Sequence, residues 1–341
     1  MEAPLVLGLR LLHQAGREAL MSRYRLVELD DVTQVGRWIG EADALYAYSP
    51  LQVDSDLITR GKHLKVIAAA GSGVDHIDLE AAWKSDIVVT HAVGAGAISV
   101  AEHAVGHMLC LAKKLVDMDR AVREGRFEQR TENRHHFGEL SGRTLAIVGF
   151  GAIGRELARI ASRGFDMRVI AVTRDGAPVE DENVGQTMSL HEALAQADVV
   201  SVHTPLSRTT RGLIGHAEFA RMKSTAWLVD TSRGGVVNSD ALYSALAEGR
   251  LGGAALDVFE PEPPPTQLPL LSLPNVVLSP HCAGLTREAL QRLSLAAAHD
   301  IDCALCGLPP PGLVAPKSWV GSRAAALSPR SEPINQLGNS Q

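Results

Sequence analysis

The sequence predicts an α/β fold of two doubly wound parallel-sheet domains, on three observations. Apolar runs of strand length alternate with helix-compatible stretches along most of the chain. One of those runs ends in a glycine triplet that opens a helix. The 341 residues are enough for two full hydrophobic cores.

Taken in order, the first third reads as alternating strands and helices, with strands at Leu5–Leu9, Leu64–Ala70 and Ile87–Thr90. Glycine-bearing loops follow these strands, notably Gly71-Ser72-Gly73-Val74-Asp75, and open α/β sheets bind ligands at such C-terminal strand ends. A long helix rich in Ala, Leu, Met and Val is predicted over Val100–Arg123, followed by the polar stretch Glu128–Ser141 with the solvated pair His135-His136. Further strands are expected at Thr144–Val148, Met167–Val172, Val199–Val202, Trp227–Val229, Ala254–Leu256 and Val276–Leu278. Helical stretches lie between most of them, which makes a doubly wound sheet of about six or seven strands. A helix over Arg287–Cys306 precedes Pro309-Pro310-Pro311, and the Ser-, Pro-, Arg- and Asn-rich residues 320–341 read as disordered. No internal repeat is evident.

The glycine triplet carries the first functional signal. Gly149-Phe150-Gly151-Ala152-Ile153-Gly154 stands between the strand Thr144–Val148 and the helical stretch Arg155–Ile160. A dinucleotide pyrophosphate needs that order: a tight turn, close backbone approach, and a helix N-terminus facing the negative charge. At the end of the next strand, an Asp or Glu would hold a ribose 2′-OH and mark NAD. This chain has Thr173-Arg174 there, a hydroxyl and a planar cation that suit a 2′-phosphate, so NADP is expected over NAD. Asp175 follows and is the alternative ribose ligand, with Arg174 then a solvated residue at the strand end.

Composition excludes several classes. Apolar residues make up 45% and charged residues 21%, as in ordinary globular proteins. A net charge of −6 gives no general drive toward nucleic acid or an anionic membrane. The opening Met1–Leu9 lacks a basic start, its apolar run is too short for a secretion signal, and no run approaches a membrane span. A soluble cytoplasmic protein without nucleic-acid or membrane partners is therefore expected. Cys303-Ala304-Leu305-Cys306 has the spacing of half a zinc site, but no second pair completes it. It reads as two small residues on a packed helix, and no metal is expected. Cys282 adjoins a histidine and is either a packing residue or a reactive thiol.

Three polar residues stand out downstream: Arg233 in Asp230-Thr231-Ser232-Arg233-Gly234-Gly235, Glu262 in Leu256-Asp257-Val258-Phe259-Glu260-Pro261-Glu262-Pro263, and His281 in Leu278-Ser279-Pro280-His281-Cys282-Ala283-Gly284. With Gly71–Asp75, Val100-Ala101-Glu102-His103, the glycine fingerprint, His203-Thr204-Pro205-Leu206 and Met222-Lys223, these blocks resemble, in order and from about residue 4 to 319, the D-isomer-specific 2-hydroxyacid dehydrogenase family. That family includes glyoxylate/hydroxypyruvate reductases and phosphoglycerate dehydrogenases.

The resemblance implies a Rossmann-like dinucleotide-binding domain over 98–285, inserted into a smaller flavodoxin-like substrate domain made of 1–97 and 286–319. It implies reduction of a 2-keto acid by hydride transfer, with His281 as general acid/base, Glu262 as its acidic partner and Arg233 binding the carboxylate and polarising the carbonyl. Each role suits its chemistry: imidazole titrates near neutrality, a carboxylate stabilises imidazolium, and guanidinium makes charged bidentate bonds. Cofactor contacts are implied for Gly149 to Gly154, Thr173, Arg174, His203, Thr204, Pro205, Thr210, Thr231, Ser232, Asp257 and Gly284. Asp257 resembles the carboxylate that fixes the nicotinamide amide, or else caps the next turn; His203 lies against the cofactor or makes a structural bond. Ser72, Gly73 and Val74 resemble the loop that grips the substrate carboxylate, and Tyr48 and Leu51 are candidates for its side-chain pocket.

Tyr48 stands in Ala47-Tyr48-Ser49-Pro50, where phosphoglycerate dehydrogenases carry an Arg, and the chain ends without a regulatory domain. A small non-phosphorylated 2-keto acid (glyoxylate, hydroxypyruvate or an analogue) is thus the expected substrate. Glu262 is acidic where formate dehydrogenases carry an amide. Relatives dimerise through the segment matching Val100–Arg123, which implies a homodimer. The alternative on the same fold is a dinucleotide-sensing regulatory protein of the corepressor type, since such proteins keep the catalytic trio.

Overall fold

A computed structural model describes residues 2–9, 12–48, 51–132 and 136–315. The chain divides into two units, one of Met1–Gly96 plus the segment from Thr286 onward, the other of Ala97–Leu285. The first holds strands β1 (Leu5–Leu9), β2 (Arg25–Leu29), β3 (Ala44–Ala47), β4 (Val66–Ala69) and β5 (Val88–His91). The second holds β6 (Thr144–Val148), β7 (Arg168–Val172), β8 (Gln186–Thr187), β9 (Val199–Val202), β10 (Trp227–Asp230), β11 (Gly253–Leu256) and β12 (Val276–Leu278). A last short strand, β13 (Leu313–Val314), returns to the first unit. His135 and residues 320–341, for which solvation and disorder were expected, lie outside the described residues.

Among the described residues the first sheet runs β13-β5-β4-β3-β1-β2. Its first five strands are parallel in the 2-1-3-4-5 order of flavodoxin-like folds, and β13 adds an antiparallel edge beside β5. The second runs β12-β11-β10-β9-β6-β7-β8, all parallel. Counted from β6, that is the doubly wound 3-2-1-4-5-6 order with one further strand at the edge. The expected fold class, two doubly wound parallel sheets with one unit inserted into the other, is what the chain adopts.

The central strands of both sheets are buried on both faces, which is why most of them read as continuous apolar runs. Along β6, Ala146 and Val148 face one core cluster, whereas Leu145 and Ile147 face the other. In the first unit Leu5, Leu7 and Leu9 of β1 enter one core and Val6 the opposite one. The second of these cores is completed from the far end of the chain, by Ala297, Ala298, Ile301 and Ala304 of the helix Arg287–Cys306. Among the described residues no helix is long and apolar enough to cross a membrane.

The structure departs from the sequence reading in four places, one of them the short antiparallel strand β13, which went unread. Strands β2 and β3 went unread, because β2 is an edge strand with Arg25 and Glu28 exposed and β3 is Ala-Leu-Tyr-Ala without a β-branched residue. Edge strand β8, two polar residues long, was equally silent. The single helix expected over Val100–Arg123 is two helices, Ala97–Lys113 and Leu115–Arg123, separated by Lys114 in the left-handed region at φ 51°. The first helix drives Ala104, Met108 and Leu111 into the core. The second leaves Leu115, Val116 and Val122 exposed, so the two segments meet different surroundings.

A buried acid ties the ends of the first unit together. Asp302 is fully buried; its carboxylate accepts from Tyr24 Oη at 2.6 Å and pairs with Arg23 at 2.8 Å. Replacing it leaves a cation and a phenol without their acceptor. Asp302→Ala is expected to lower stability by about 2–3 kcal/mol, the lower range because Arg23 keeps some solvent. Chemical denaturation compared with wild type measures it, and an unchanged midpoint would show that the tie contributes nothing.

Candidate active site

Parallel pairing sends the C-terminal ends of β6, β7 and β9 to β12 to one edge of the second sheet, and the residues singled out in this unit follow those ends. After β6, Gly149 turns with φ 97°, a left-handed conformation, and a side chain there would meet the carbonyl carbon of His203 at 2.8 Å. The β6 and β9 loops therefore touch at the point where the strand order reverses, the crevice in which such sheets take dinucleotides. A side chain at Gly154 would lie 2.7 Å from the Gly149 carbonyl oxygen, so helix Ala152–Phe165 packs directly on its strand. Around Gly151 there is open space, and no side chain caps the helix. First-turn N–H groups thus stay available to a phosphate.

Other candidates line the same edge. Thr204 has a buried hydroxyl without a hydrogen-bond partner, as a residue shaped for a ligand would. His203 faces Ser201 Oγ through Nε2 at 2.8 Å and Thr231 Oγ through Nδ1 at 3.4 Å. Thr210 is held by its own loop, donating to the Pro205 carbonyl at 2.6 Å. Ser232 is fixed by the buried Asp230, whose Oδ1 accepts from both its N–H and its hydroxyl. Burial pushes the Asp230 carboxyl up to about 6, against those two hydrogen bonds. At the end of β7, Thr173 donates to the Ala177 carbonyl at 3.1 Å, while Asp175 accepts from Ala177 N–H at 3.2 Å. Arg174 is exposed beside them.

Arg233, Glu262 and His281 come from three adjacent strand ends, those of β10, β11 and β12. Glu262 accepts from Phe259 N–H through Oε1 at 2.9 Å and meets His281 Nδ1 with Oε2 at 2.7 Å. Burial raises the Glu262 carboxyl, but the bonds from His281 and Phe259 and the charges of His281 and Arg233 outweigh it, leaving it below its ordinary value. With Nδ1 engaged, the other ring nitrogen of His281 is the one left for chemistry. Arg233 Nη1 donates to the Ser232 carbonyl at 2.8 Å. Gly234 is the contact between the loops: a side chain there would stand 1.8 Å from the Phe259 carbonyl oxygen. Arg211 grips both oxygens of Glu260, at 2.9 and 2.8 Å, and so holds the loop that carries Glu262.

Asp257, fully buried, turns its carboxylate into the loop bearing His281. It accepts from Ser279 Oγ at 2.5 Å, Cys282 N–H at 2.9 Å and Ala283 N–H at 2.9 Å. His103, Asp257 and Cys282 place ligand atoms within 4.8 Å of one another, but these donors already engage the Asp257 oxygens, and the group reads as a hydrogen-bond network. Burial and the neighbouring Asp257 raise the Cys282 thiol above its ordinary value, which keeps it protonated and argues for packing over reactivity.

Candidates in the first unit are a separate set. Leu51 is buried in the core and Tyr48 packs against the same cluster, as does Val74. Ser72 offers its carbonyl to His91 Nδ1 at 2.9 Å. Sequence reasoning assigned no role to Ser279, His107, Arg211 or Glu260. Only the spacing of His103 and His107, one helical turn apart, was a signal that could have been read.

Burial holds two imidazoles neutral: His203 and His107 are each pushed down from 6.5 to about 4. In the unfolded chain both take a proton as pH falls through about 6.5. The folded chain binds fewer protons in that window, so stability must fall as pH drops from about 6.5 toward 4. Thermal melts from pH 7.5 to 4.5 are expected to show it, with a shallower slope in His107→Leu; a flat profile in wild type would be inconsistent with buried neutral histidines.

The model for the D-isomer specific 2-hydroxyacid dehydrogenase NAD binding domain matches residues 105–283. A glyoxylate reductase of Aeropyrum pernix is 38% identical over 306 residues, covering 86% of this chain and 91% of its own. A D-3-phosphoglycerate dehydrogenase of Archaeoglobus fulgidus is 40% identical over 275 residues, 80% of this chain but only 51% of that protein, so the chain spans about half its length. Among solved structures, a glyoxylate reductase from Paecilomyes thermophila matches with a TM-score of 0.81 and 30% identity over 92% of this chain and 98% of that one. With a glycine cradle, a His–Glu pair and relatives of this kind, the chain belongs to the D-isomer specific 2-hydroxyacid dehydrogenase family and is an oxidoreductase with an NAD-binding domain.

Proposed function

We propose that the protein reduces a small 2-keto acid to the D-2-hydroxy acid, with NADPH preferred to NADH. The observation that carries this reading is the His281 Nδ1–Glu262 Oε2 contact of 2.7 Å beside Arg233. A bound nicotinamide supplies hydride to the carbonyl carbon. His281 donates a proton to the carbonyl oxygen from its other ring nitrogen, and Glu262 orients the ring and stabilises its charged form. Arg233 pairs with the substrate carboxylate and polarises the carbonyl. The glycine cradle, the open helix N-terminus and the orphan Thr204 hydroxyl fit the dinucleotide. Ser72, Gly73 and Val74 remain the candidates for gripping the carboxylate, and Tyr48 for the substrate side chain. Tyr48 supplies no charge for a phosphate, which favours glyoxylate, hydroxypyruvate or an analogue over 3-phosphoglycerate. The exposed Leu115, Val116, Val122 and Phe127 suit a homodimer.

His281→Ala is expected to lose about 10²–10⁴-fold in kcat, the usual worth of general acid catalysis, with dinucleotide affinity preserved. A 2-keto-acid panel run with NADPH and NADH reads it. Near-normal kcat in the variant sinks the assignment, and tight dinucleotide binding without turnover in wild type favours the corepressor-type alternative.

Cofactor choice rests on Thr173 and Arg174. Asp175 is turned toward Ala177, which leaves the guanidinium of Arg174 as the charged group to meet a 2′-phosphate. A charge-assisted contact is worth roughly 1.5–3 kcal/mol, so Arg174→Ala should cut the NADPH preference about tenfold or more. Thr173→Asp should turn it toward NADH by repelling phosphate and accepting from the ribose. A wild-type preference for NADH, unmoved by Arg174→Ala, refutes the NADP reading and leaves the reductase reading intact.

A further inference from the structure

His281 occupies an unusual backbone position. Its φ is 51°, in the left-handed region that residues with a side chain seldom enter, so something must hold the turn there. The loop Ser279–Ala283 is held at several points. Asp257 accepts from Ser279 Oγ, Cys282 N–H and Ala283 N–H, and the Ala283 carbonyl accepts from Ser99 Oγ at 2.5 Å. Asp257 and Ser99 are both buried.

Ser279 is the junction of this arrangement. Its one hydroxyl proton goes to Asp257 Oδ1, its oxygen stands 2.9 Å from His103 Nε2 and 3.1 Å from His107 Nε2, and those two ring nitrogens lie 3.1 Å from each other, so one ring donates into the group and the other accepts. The two imidazoles stand one turn apart on the helix Ala97–Lys113, ring centroids 4.4 Å apart in an edge-to-face contact. That helix is packed into the core through Ala104, Met108 and Leu111. A rigid helix thus sets a hydroxyl, the hydroxyl sets a carboxylate, and the carboxylate sets two backbone N–H groups on the far side of His281. Without the hydroxyl, Asp257 loses a charged hydrogen bond and is free to rotate away from Cys282 and Ala283.

We propose that Ser279 is a positioning residue for the proton step: through Asp257 it fixes the turn that presents His281 to Glu262 and the substrate. The proposal rests on the reading of His281 as the acid. Misplacement of a reacting group by about 1 Å costs on the order of 10²-fold in rate, which sets the size of the effect.

The test is a set of variants at one position, with turnover measured on glyoxylate or hydroxypyruvate. Ser279→Ala is expected to lower kcat by about tenfold to a hundredfold, with the binding of ADP, which reports the glycine cradle alone, unchanged. Its kcat/KM–pH profile should shift the controlling group downward, because His281 sits less well on Glu262. Ser279→Thr, which keeps the hydroxyl, should restore turnover; Ser279→Val, of the same shape without it, should not. This pair still decides the matter where the alanine variant folds poorly. In the background of His281→Ala, adding Ser279→Ala should cost nothing more, since its effect passes through the missing imidazole. Wild-type kcat and pH profile in Ser279→Ala, equal activity of the Thr and Val variants, or additive losses in the double variant would each overturn the role while the His281→Ala loss stands. Full turnover by His281→Ala would instead remove the general-acid reading, and the positioning role with it.

Discussion

Parallel strand pairing is the constraint on which the second unit depends. Because β6, β7 and β9 to β12 all run the same way, every loop that leaves a C-terminal strand end emerges on one edge of the sheet. The glycine cradle, the pair Thr173-Arg174, His203, Arg233, Glu262 and His281 are scattered over more than a hundred residues, yet they share that edge. Pairing in register also fixes their order, since β10 lies between β9 and β11, and β11 between β10 and β12. The chemistry is then tuned by close contacts between neighbouring loops. Gly149 rests on His203, and Gly234 rests on Phe259. At both places the missing side chain lets two backbones meet.

Buried carboxylates do two different jobs in this unit. Asp230 and Asp257 sit at the ends of adjacent strands and are both withdrawn from water, and the neighbouring Asp257 adds to the cost of ionising Asp230. Neither has a cation within its own hydrogen bonds; each is satisfied by N–H and hydroxyl donors of a loop it organises. Glu262 is different, for it is exposed and pairs with an imidazole ring. The two organising acids are kept dry, whereas the acid bonded to His281 keeps contact with solvent.

Legibility in the sequence followed the same physics. Strands buried on both faces, such as Thr144–Val148 and Val199–Val202, were plain because their apolar runs are continuous. Edge strand β2, with Arg25 and Glu28 facing water, carried no such signal, nor did the break at Lys114, which has neither glycine nor proline to mark it. The trio Arg233, Glu262 and His281 stood out in the sequence through the family blocks around it, and its gathering on neighbouring strand ends follows from strand order. What surrounds it was not readable. Ser279 precedes a proline in an ordinary-looking strand end, and its partners His103 and His107 lie some 170 residues earlier, at 176 and 172 positions' remove. The sequence position of a side chain says nothing of a hydrogen-bond partner that only tertiary packing brings to it.

The discontinuous first unit bears on how the chain is made. Its core between β1, β3, β4 and the helix Arg287–Cys306 contains Val6, Tyr46 and Val66 from the start of the chain and Ala297, Ala298 and Ile301 from near the end. During synthesis, residues 1–96 therefore leave the ribosome with one apolar face uncovered. The continuous stretch Ala97–Leu285 has everything its own cores require as soon as it emerges. Since domains fold as units as they are released, the unit begun first is finished last. Until Arg23 and Tyr24 meet Asp302, that uncovered sheet face is the part of the nascent protein most in need of shelter.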